Sequence, residues 1–185
     1  MTRRIFNLAN NLTIFRIIVV PILIVIFLYS TSKTSCLIAA ALFALAAFTD
    51  WLDGYVARRQ NLITSLGKFL DPLADKILVT ITLIMLLSLD RAPAWVVAII
   101  IAREVSVTGL RIATAHEGSI IEASTLAKYK TAFQLAAAEA LLIHYTYFNI
   151  NFHLVGMLLL WVALVITIWS GIVYFIKFFD KAFSP

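Results

Sequence analysis

The chain has 185 residues, 62% of them hydrophobic and 14% charged, with a formal net charge of +5 and a mean hydropathy of +0.97. A soluble domain runs at roughly 45–50% apolar and about 25% charged, and a fold this small keeps too much surface to hide the excess. The figures therefore exclude a soluble enzyme, a disordered regulator and a disulfide scaffold, and they predict an all-α integral membrane protein forming a single domain over 1–185.

From the N-terminus, Arg3 and Arg4 precede the first apolar run, and residues 2–10 are read as a short interfacial helix. Arg3, Arg4 and Arg16 ahead of 17–30 have the outline of a signal peptide. Residues 31–36 (TSKTSC) lack its small-x-small cleavage pattern, so the first apolar helix is expected to be retained. Apolar runs long enough to span a bilayer, about 20 residues, fall at roughly 11–30, 37–58, 67–89, 93–113, 124–147 and 153–177. Six transmembrane helices are expected, joined by short links. Arg3, Arg4, Arg58, Arg59, Lys68, Lys128, Lys130, Lys177 and Lys181 lie on one side, with only Lys33 and Arg91 on the other. Nine basic residues against two place both termini in the cytoplasm. The positive charge thus marks orientation, and no basic stripe with interleaved aromatics points to nucleic acid. Cys36, the single cysteine, leaves no intrachain disulfide and no cysteine metal cluster.

Ionisable groups inside apolar spans are costly and by default functional. Asp50 and Asp53 stand at i, i+3 in the second span, and Asp71 and Asp75 at i, i+4 in the third, so each pair shares a helix face. An antiparallel hairpin turning near 62–63 sets Asp50 opposite Asp75 and Asp53 opposite Asp71. All four then lie within roughly 6–19 Å of the cytoplasmic turn at about 1.5 Å per residue. Four such carboxylates repel one another unless divalent cations sit between them. An all-oxygen donor set favours magnesium or manganese over zinc or copper. Gly54, Ala57 and Gly67 leave room beside the carboxylates for a ligand, and Arg58 is placed to meet a phosphate.

Together these residues read Asp50-x-x-Asp53-Gly54-x-x-Ala57-Arg58, eight further residues, then Gly67-x-x-x-Asp71-x-x-x-Asp75: eight fixed positions over 26 residues. The pattern resembles, without departure, the signature of the CDP-alcohol phosphatidyltransferase family. The opening Asn7-Leu8-Ala9-Asn10-Asn11-Leu12-Thr13-Ile14-Phe15-Arg16 is similar to that of members whose acceptor is sn-glycerol 3-phosphate. So are Arg103-Glu104, Arg111 and Lys128-Tyr129-Lys130-Thr131 further along. Ala9 stands where those members usually carry proline, and Ala127 where glycine is common.

The resemblance implies transfer of a phosphatidyl group from CDP-diacylglycerol to sn-glycerol 3-phosphate, with CMP released. It implies two divalent cations, Mg2+ or Mn2+, with Asp50 and Asp71 bridging both, Asp53 completing one site and Asp75 the other. Asp75 also matches the general base. Gly54, Ala57, Arg58, Thr64 and Gly67 match the surroundings of the CDP group, and Asn10 and Thr13 reach its phosphates. A homodimer in the cell (inner) membrane, with the active site facing the cytoplasm, is expected on the same ground. The acceptor carries its own phosphate dianion, so a second basic pocket is expected, from Arg111, Lys128 and Lys130 with Arg103 deeper.

A glycerol hydroxyl needs a carboxylate within hydrogen-bond reach to become a nucleophile. No serine or cysteine stands near the quartet to form a covalent intermediate, which favours direct in-line attack. The signature alone also admits inositol phosphate, serine or phosphatidylglycerol as acceptor. A cation or proton transporter is the rival from another class. It is disfavoured because the carboxylates lie toward one face of continuous spans with no internal repeat.

Overall fold

The computed structural model describes the backbone of residues 8–60, 65–116 and 125–183, and the side chains of 13–49, 73–74, 76–112, 114 and 128–180. Within them lie six α-helices: α1 (Leu8–Tyr29), α2 (Lys33–Gln60), α3 (Ser65–Ser88), α4 (Ala94–His116), α5 (Thr125–Ile143) and α6 (Phe152–Phe183). A two-stranded hairpin, β1 (Thr146–Tyr147) and β2 (Ile150–Asn151), separates the last two. The all-α expectation holds. The expected interfacial helix at 2–10 falls mostly outside the described residues, with α1 beginning at Leu8.

Local chemistry sets several of these boundaries. Ser32 caps α2, its hydroxyl accepting the Ser35 amide at 3.2 Å, and Asn151 caps α6 by accepting the Leu154 amide at 3.1 Å. Each cap satisfies an N–H that has no partner inside its helix. The fifth helix is shorter than the expected 124–147. His144 takes a left-handed φ of 62°, and the chain then reverses through Phe148 (φ 51°) and Asn149 (φ 61°). Two consecutive positive φ values are what a type I′ hairpin turn demands. It pairs Tyr147 with Ile150 and Thr146 with Asn151 in antiparallel register. The segment is rich in Tyr, Phe and Ile, and a short apolar run of that kind does not distinguish strand from helix. Tyr145 docks the hairpin by donating its hydroxyl to the Thr31 carbonyl at 2.8 Å.

On α1, Thr13, Arg16, Val19, Leu23 and Phe27 are buried, whereas Ile14, Ile18, Ile22, Val25 and Leu28 face outward. On α6, Leu158, Trp161, Val165, Ile168, Trp169 and Ile172 are likewise exposed. Such apolar ridges are far more extensive than a water-facing surface carries. Among the described residues one helix is both long and apolar enough to cross a bilayer, α6 over Phe152–Asp180, with a mean hydropathy of 2.3. Shorter apolar stretches occupy Thr13–Tyr29, Lys33–Thr49 and Lys76–Ser88. Charged residues interrupt the remainder of α2 and α3: Asp50, Asp53, Arg58 and Arg59 on the first, Lys68, Asp71 and Asp75 on the second.

Arg91, in the link between α3 and α4, is 4% exposed. Its guanidinium donates to the carbonyls of Leu141 (3.3 Å) and Leu142 (3.1 Å) in the last turn of α5. It also reaches Cys36 Sγ at 3.2 Å and lies over the Phe27 ring at 5.6 Å. A cation at a helix C-terminus meets the negative end of the helix dipole and fills carbonyls that have no partner in the helix.

α5 and α6 form the most extensive helix pair, and Gly156 sets how close they come. A Cβ at that position would stand 2.7 Å from Leu141 Cγ and 2.9 Å from the Leu141 backbone nitrogen. A flexible side chain could move aside, but the backbone of a neighbouring helix cannot. Gly156→Val is expected to destabilise the fold by about 3 kcal/mol, read as an earlier thermal unfolding transition in detergent. Gly109→Ala, where nothing lies within 4 Å of the new methyl, is expected to leave the transition unchanged or slightly higher.

Candidate active site

Helices α3, α4 and α5 enclose a cavity of about 340 Å3. Lys76, Thr80 and Leu83 line it from α3, Ile100, Glu104, Thr108 and Arg111 from α4, and Lys130, Thr131 and Gln134 from α5. These positions recur mostly at intervals of three or four, so each helix presents one face to the same space. Leu83 and Ile100 lie toward the end of the bundle where α3 passes into α4. Arg111 and Lys128 lie toward the opposite end, in the last two turns of α4 and the first turn of α5, with Lys76 midway along α3. The cavity is therefore apolar at its inner end and cationic at its mouth.

All four cations expected to form the acceptor pocket border this one space: Arg103, Arg111, Lys128 and Lys130. Arg111 and Lys128 are exposed at the mouth. Lys130 is 4% exposed, and a buried ammonium needs a counter-charge. Glu104 supplies it. Lys130 Nζ donates to Glu104 Oε1, and Arg103 donates to the same oxygen at 3.2 Å. One carboxylate oxygen thus gathers two cations from α4 and α5. The second arm of Arg103 donates to Ser170 Oγ on α6 at 3.0 Å. Its path across α6 runs over Gly171, where a Cβ would meet Arg103 Cγ at 3.2 Å. Ser170 is oriented by its own bond to the Thr167 carbonyl at 3.1 Å, and Gln134 reaches Thr167 Oγ1 at 3.2 Å.

The carboxylate segments occupy the C-terminal end of α2 and the N-terminal end of α3. Asp50, Asp53, Gly54, Ala57 and Arg58 fall in roughly the last three turns of α2, and Gly67, Asp71 and Asp75 in roughly the first three turns of α3. Asn10 and Thr13 fall in the first two turns of α1. Thr13 is fully buried, as is Arg16 one turn on. Thr64 lies outside the described residues, as do the side chains of Asn10, Gly54, Ala57, Arg58, Gly67 and the four aspartates. As a donor set, four carboxylates on two consecutive helices suit hard, oxygen-seeking cations such as Mg2+ or Mn2+.

Lys76, Glu104 and Thr108 also line the cavity, outside the set of cations expected to meet the acceptor. Two signals in the sequence mark them. Thr108 stands four residues after Glu104 and three before Arg111, so all three share one face of α4. Lys76 directly follows Asp75 on α3 and closes the cavity from that side.

A sequence model of the CDP-alcohol phosphatidyltransferase family matches residues 6–169. A protein of Bacillus subtilis named CDP-diacylglycerol--glycerol-3-phosphate 3-phosphatidyltransferase is 46% identical over 187 residues, covering 93% of this chain and 95% of that protein. One of the same name from Rickettsia bellii is 44% identical over 170 residues, covering 91% and 93% respectively. A third, from Salmonella typhimurium, is 39% identical over 175 residues with the same coverage.

Proposed function

Because the chain belongs to the CDP-alcohol phosphatidyltransferase family, we propose that it transfers a phosphatidyl group from CDP-diacylglycerol to sn-glycerol 3-phosphate. The products are phosphatidylglycerophosphate and CMP. Its Bacillus and Rickettsia relatives are named for this activity over nearly their whole length. The observation that carries the choice of acceptor is the convergence of Arg103, Arg111, Lys128 and Lys130 on one cavity. An acceptor bearing a phosphate dianion suits such a space, and an uncharged alcohol would leave the cations unused.

The chemistry then follows from the residues. A glycerol hydroxyl attacks the β-phosphorus of the pyrophosphate in line with the bond to its bridging oxygen. The new P–O bond forms as that bond breaks, and CMP departs with the bridging oxygen. Asp75 accepts the hydroxyl proton, which a carboxylate does well only when held within hydrogen-bond reach. Asp50, Asp53, Asp71 and Asp75 hold two divalent cations, Mg2+ or Mn2+, which when bound offset charge on the pyrophosphate oxygens and on the leaving group. Asn10, Thr13, Gly54, Ala57, Arg58, Thr64 and Gly67 form the CDP side of the site, the small residues admitting the nucleotide and Arg58 meeting a phosphate. Arg111 and Lys128 receive the acceptor phosphate at the cavity mouth, with Lys130 and Arg103 behind them.

The family is membrane-embedded, and the outward apolar ridges of α1 and α6 fit six bilayer-crossing helices in a single domain over 1–185. Both termini and the site then face the cytoplasm of the cell membrane, and the chain works as a homodimer. Lys128 at the cavity mouth belongs to the set of nine basic residues read as cytoplasmic, which supports a cytoplasmic site.

Two kinetic outcomes are expected. Arg111→Gln or Lys128→Gln raises KM for glycerol 3-phosphate about tenfold while KM for CDP-diacylglycerol shifts by less than about twofold. Equal effects on both substrates, or none, overturn the acceptor assignment. Asp75→Asn lowers kcat about a thousandfold without loss of the folded protein in detergent, and near-wild-type turnover by that variant would remove Asp75 from the role of base.

A further inference from the structure

Gln134 is an uncharged polar side chain on the wall of the cavity, and it is 3% exposed. Of the α5 residues that line the space it is the furthest from the mouth, one turn past Lys130. The walls also include Val79, Leu83 and Ile100, and a buried amide facing such a space is costly unless something bonds it. Its Nε2 donates to Thr167 Oγ1 on α6 at 3.2 Å. Among the described residues that is the one hydrogen bond the side chain makes. Thr167 is fully buried and its carbonyl accepts from Ser170 Oγ, so the amide is anchored on a fixed neighbour.

With one amide hydrogen committed to Thr167, the carboxamide oxygen is left to accept. That oxygen discriminates between the groups of the acceptor. A phosphate dianion has only lone pairs and cannot donate to it, whereas an alcohol can. In glycerol 3-phosphate the phosphate is assigned to the cations and the terminal hydroxyl to Asp75. The central hydroxyl is the group still without a partner. Gln134 stands about 6 Å beyond Lys130 along α5, at about 1.5 Å per residue. A glycerol chain held by its phosphate at the mouth extends into the cavity on that side.

We propose that Gln134 binds the central hydroxyl of glycerol 3-phosphate, selecting a glycerol acceptor, and that Thr167 is its positioning residue. This rests on glycerol 3-phosphate being the acceptor. The test compares glycerol 3-phosphate with 3-hydroxypropyl phosphate, which keeps the phosphate and the terminal hydroxyl and lacks the central one. Both are offered to protein in liposomes of CDP-diacylglycerol with Mg2+. Wild-type protein is expected to favour glycerol 3-phosphate by about tenfold or more in kcat/KM, because the analogue leaves the buried amide unmet. In Gln134→Leu that preference falls to within about twofold, through lost activity toward glycerol 3-phosphate alone. Both substrates are read on the same variant, so a change in the amount of folded protein cancels in the ratio. An amide that only ties α5 to α6 would leave the wild-type preference intact in Gln134→Leu. That result, or a wild-type protein indifferent to the central hydroxyl, overturns the proposal. Thr167→Val lowers the preference and Thr167→Ser restores it, whereas an unchanged preference in Thr167→Val removes Thr167 from the positioning role. If Gln134→Leu does not fold, Gln134→Met carries the same test with the same two outcomes. Wild-type protein that turns over neither compound refutes the acceptor itself, an outcome read before any variant is compared.

Discussion

Several cations cannot crowd one small space among apolar helices unless an anion holds them there, and among the described residues lining the cavity Glu104 is the only carboxylate. It binds Arg103 beside it in sequence and Lys130 from a different helix, both through one oxygen. In a medium of low dielectric the attraction is strong, but so is the cost of taking the charges out of water. The pairing is best understood as a device for location. It fixes α4 against α5, and Arg103 extends the tie to α6 through Ser170. Thr108, bonded to the Glu104 carbonyl, carries it to α3 through Lys76. Four helices thus meet in one polar thread that begins beside Asp75.

The opposite end of the bundle is closed by different means. Arg91 fills carbonyls in the last turn of α5 and touches Cys36 of α2 and Phe27 of α1. The hairpin after α5 ties back to the α1–α2 link through Tyr145. Gly156 lets α6 lie directly against α5. The packing there is tight. At the other end, Arg111 and Lys128 are left exposed, as the proposed acceptor site needs.

Much of this was legible in the sequence, for a definite reason. A charge in an apolar helix is expensive, so its position carries information that a charge on a soluble surface does not. The four aspartates stood out on that ground, whereas Arg103, Arg111, Lys128 and Lys130 were marked by the family resemblance and by the phosphate that the expected acceptor carries. Three features did not. Arg91 reads as a link residue because capping depends on where another helix ends, which spacing does not reveal. The hairpin at 146–151 is hidden because its Tyr, Phe and Ile continue the apolar run of α5 and the turn chemistry of Phe148-Asn149 is unusual, with only the asparagine suited to positive φ. The contact between Lys76 and Thr108 is hidden because a lysine following an aspartate and a threonine in a helix are both common. Only the approach of α3 to α4 gives the pair meaning.

The central claim is the identity of the acceptor, and one measurement addresses it most directly. Purified protein in liposomes of CDP-diacylglycerol with Mg2+ or Mn2+ is offered glycerol 3-phosphate, inositol phosphate, serine and phosphatidylglycerol one at a time, with CMP and the lipid product quantified. CMP and phosphatidylglycerophosphate formed with glycerol 3-phosphate alone is the predicted result. Turnover with a different acceptor in its place would contradict the reading of the cationic cavity while leaving the family intact, and no CMP with any of them from folded protein would contradict the transferase itself.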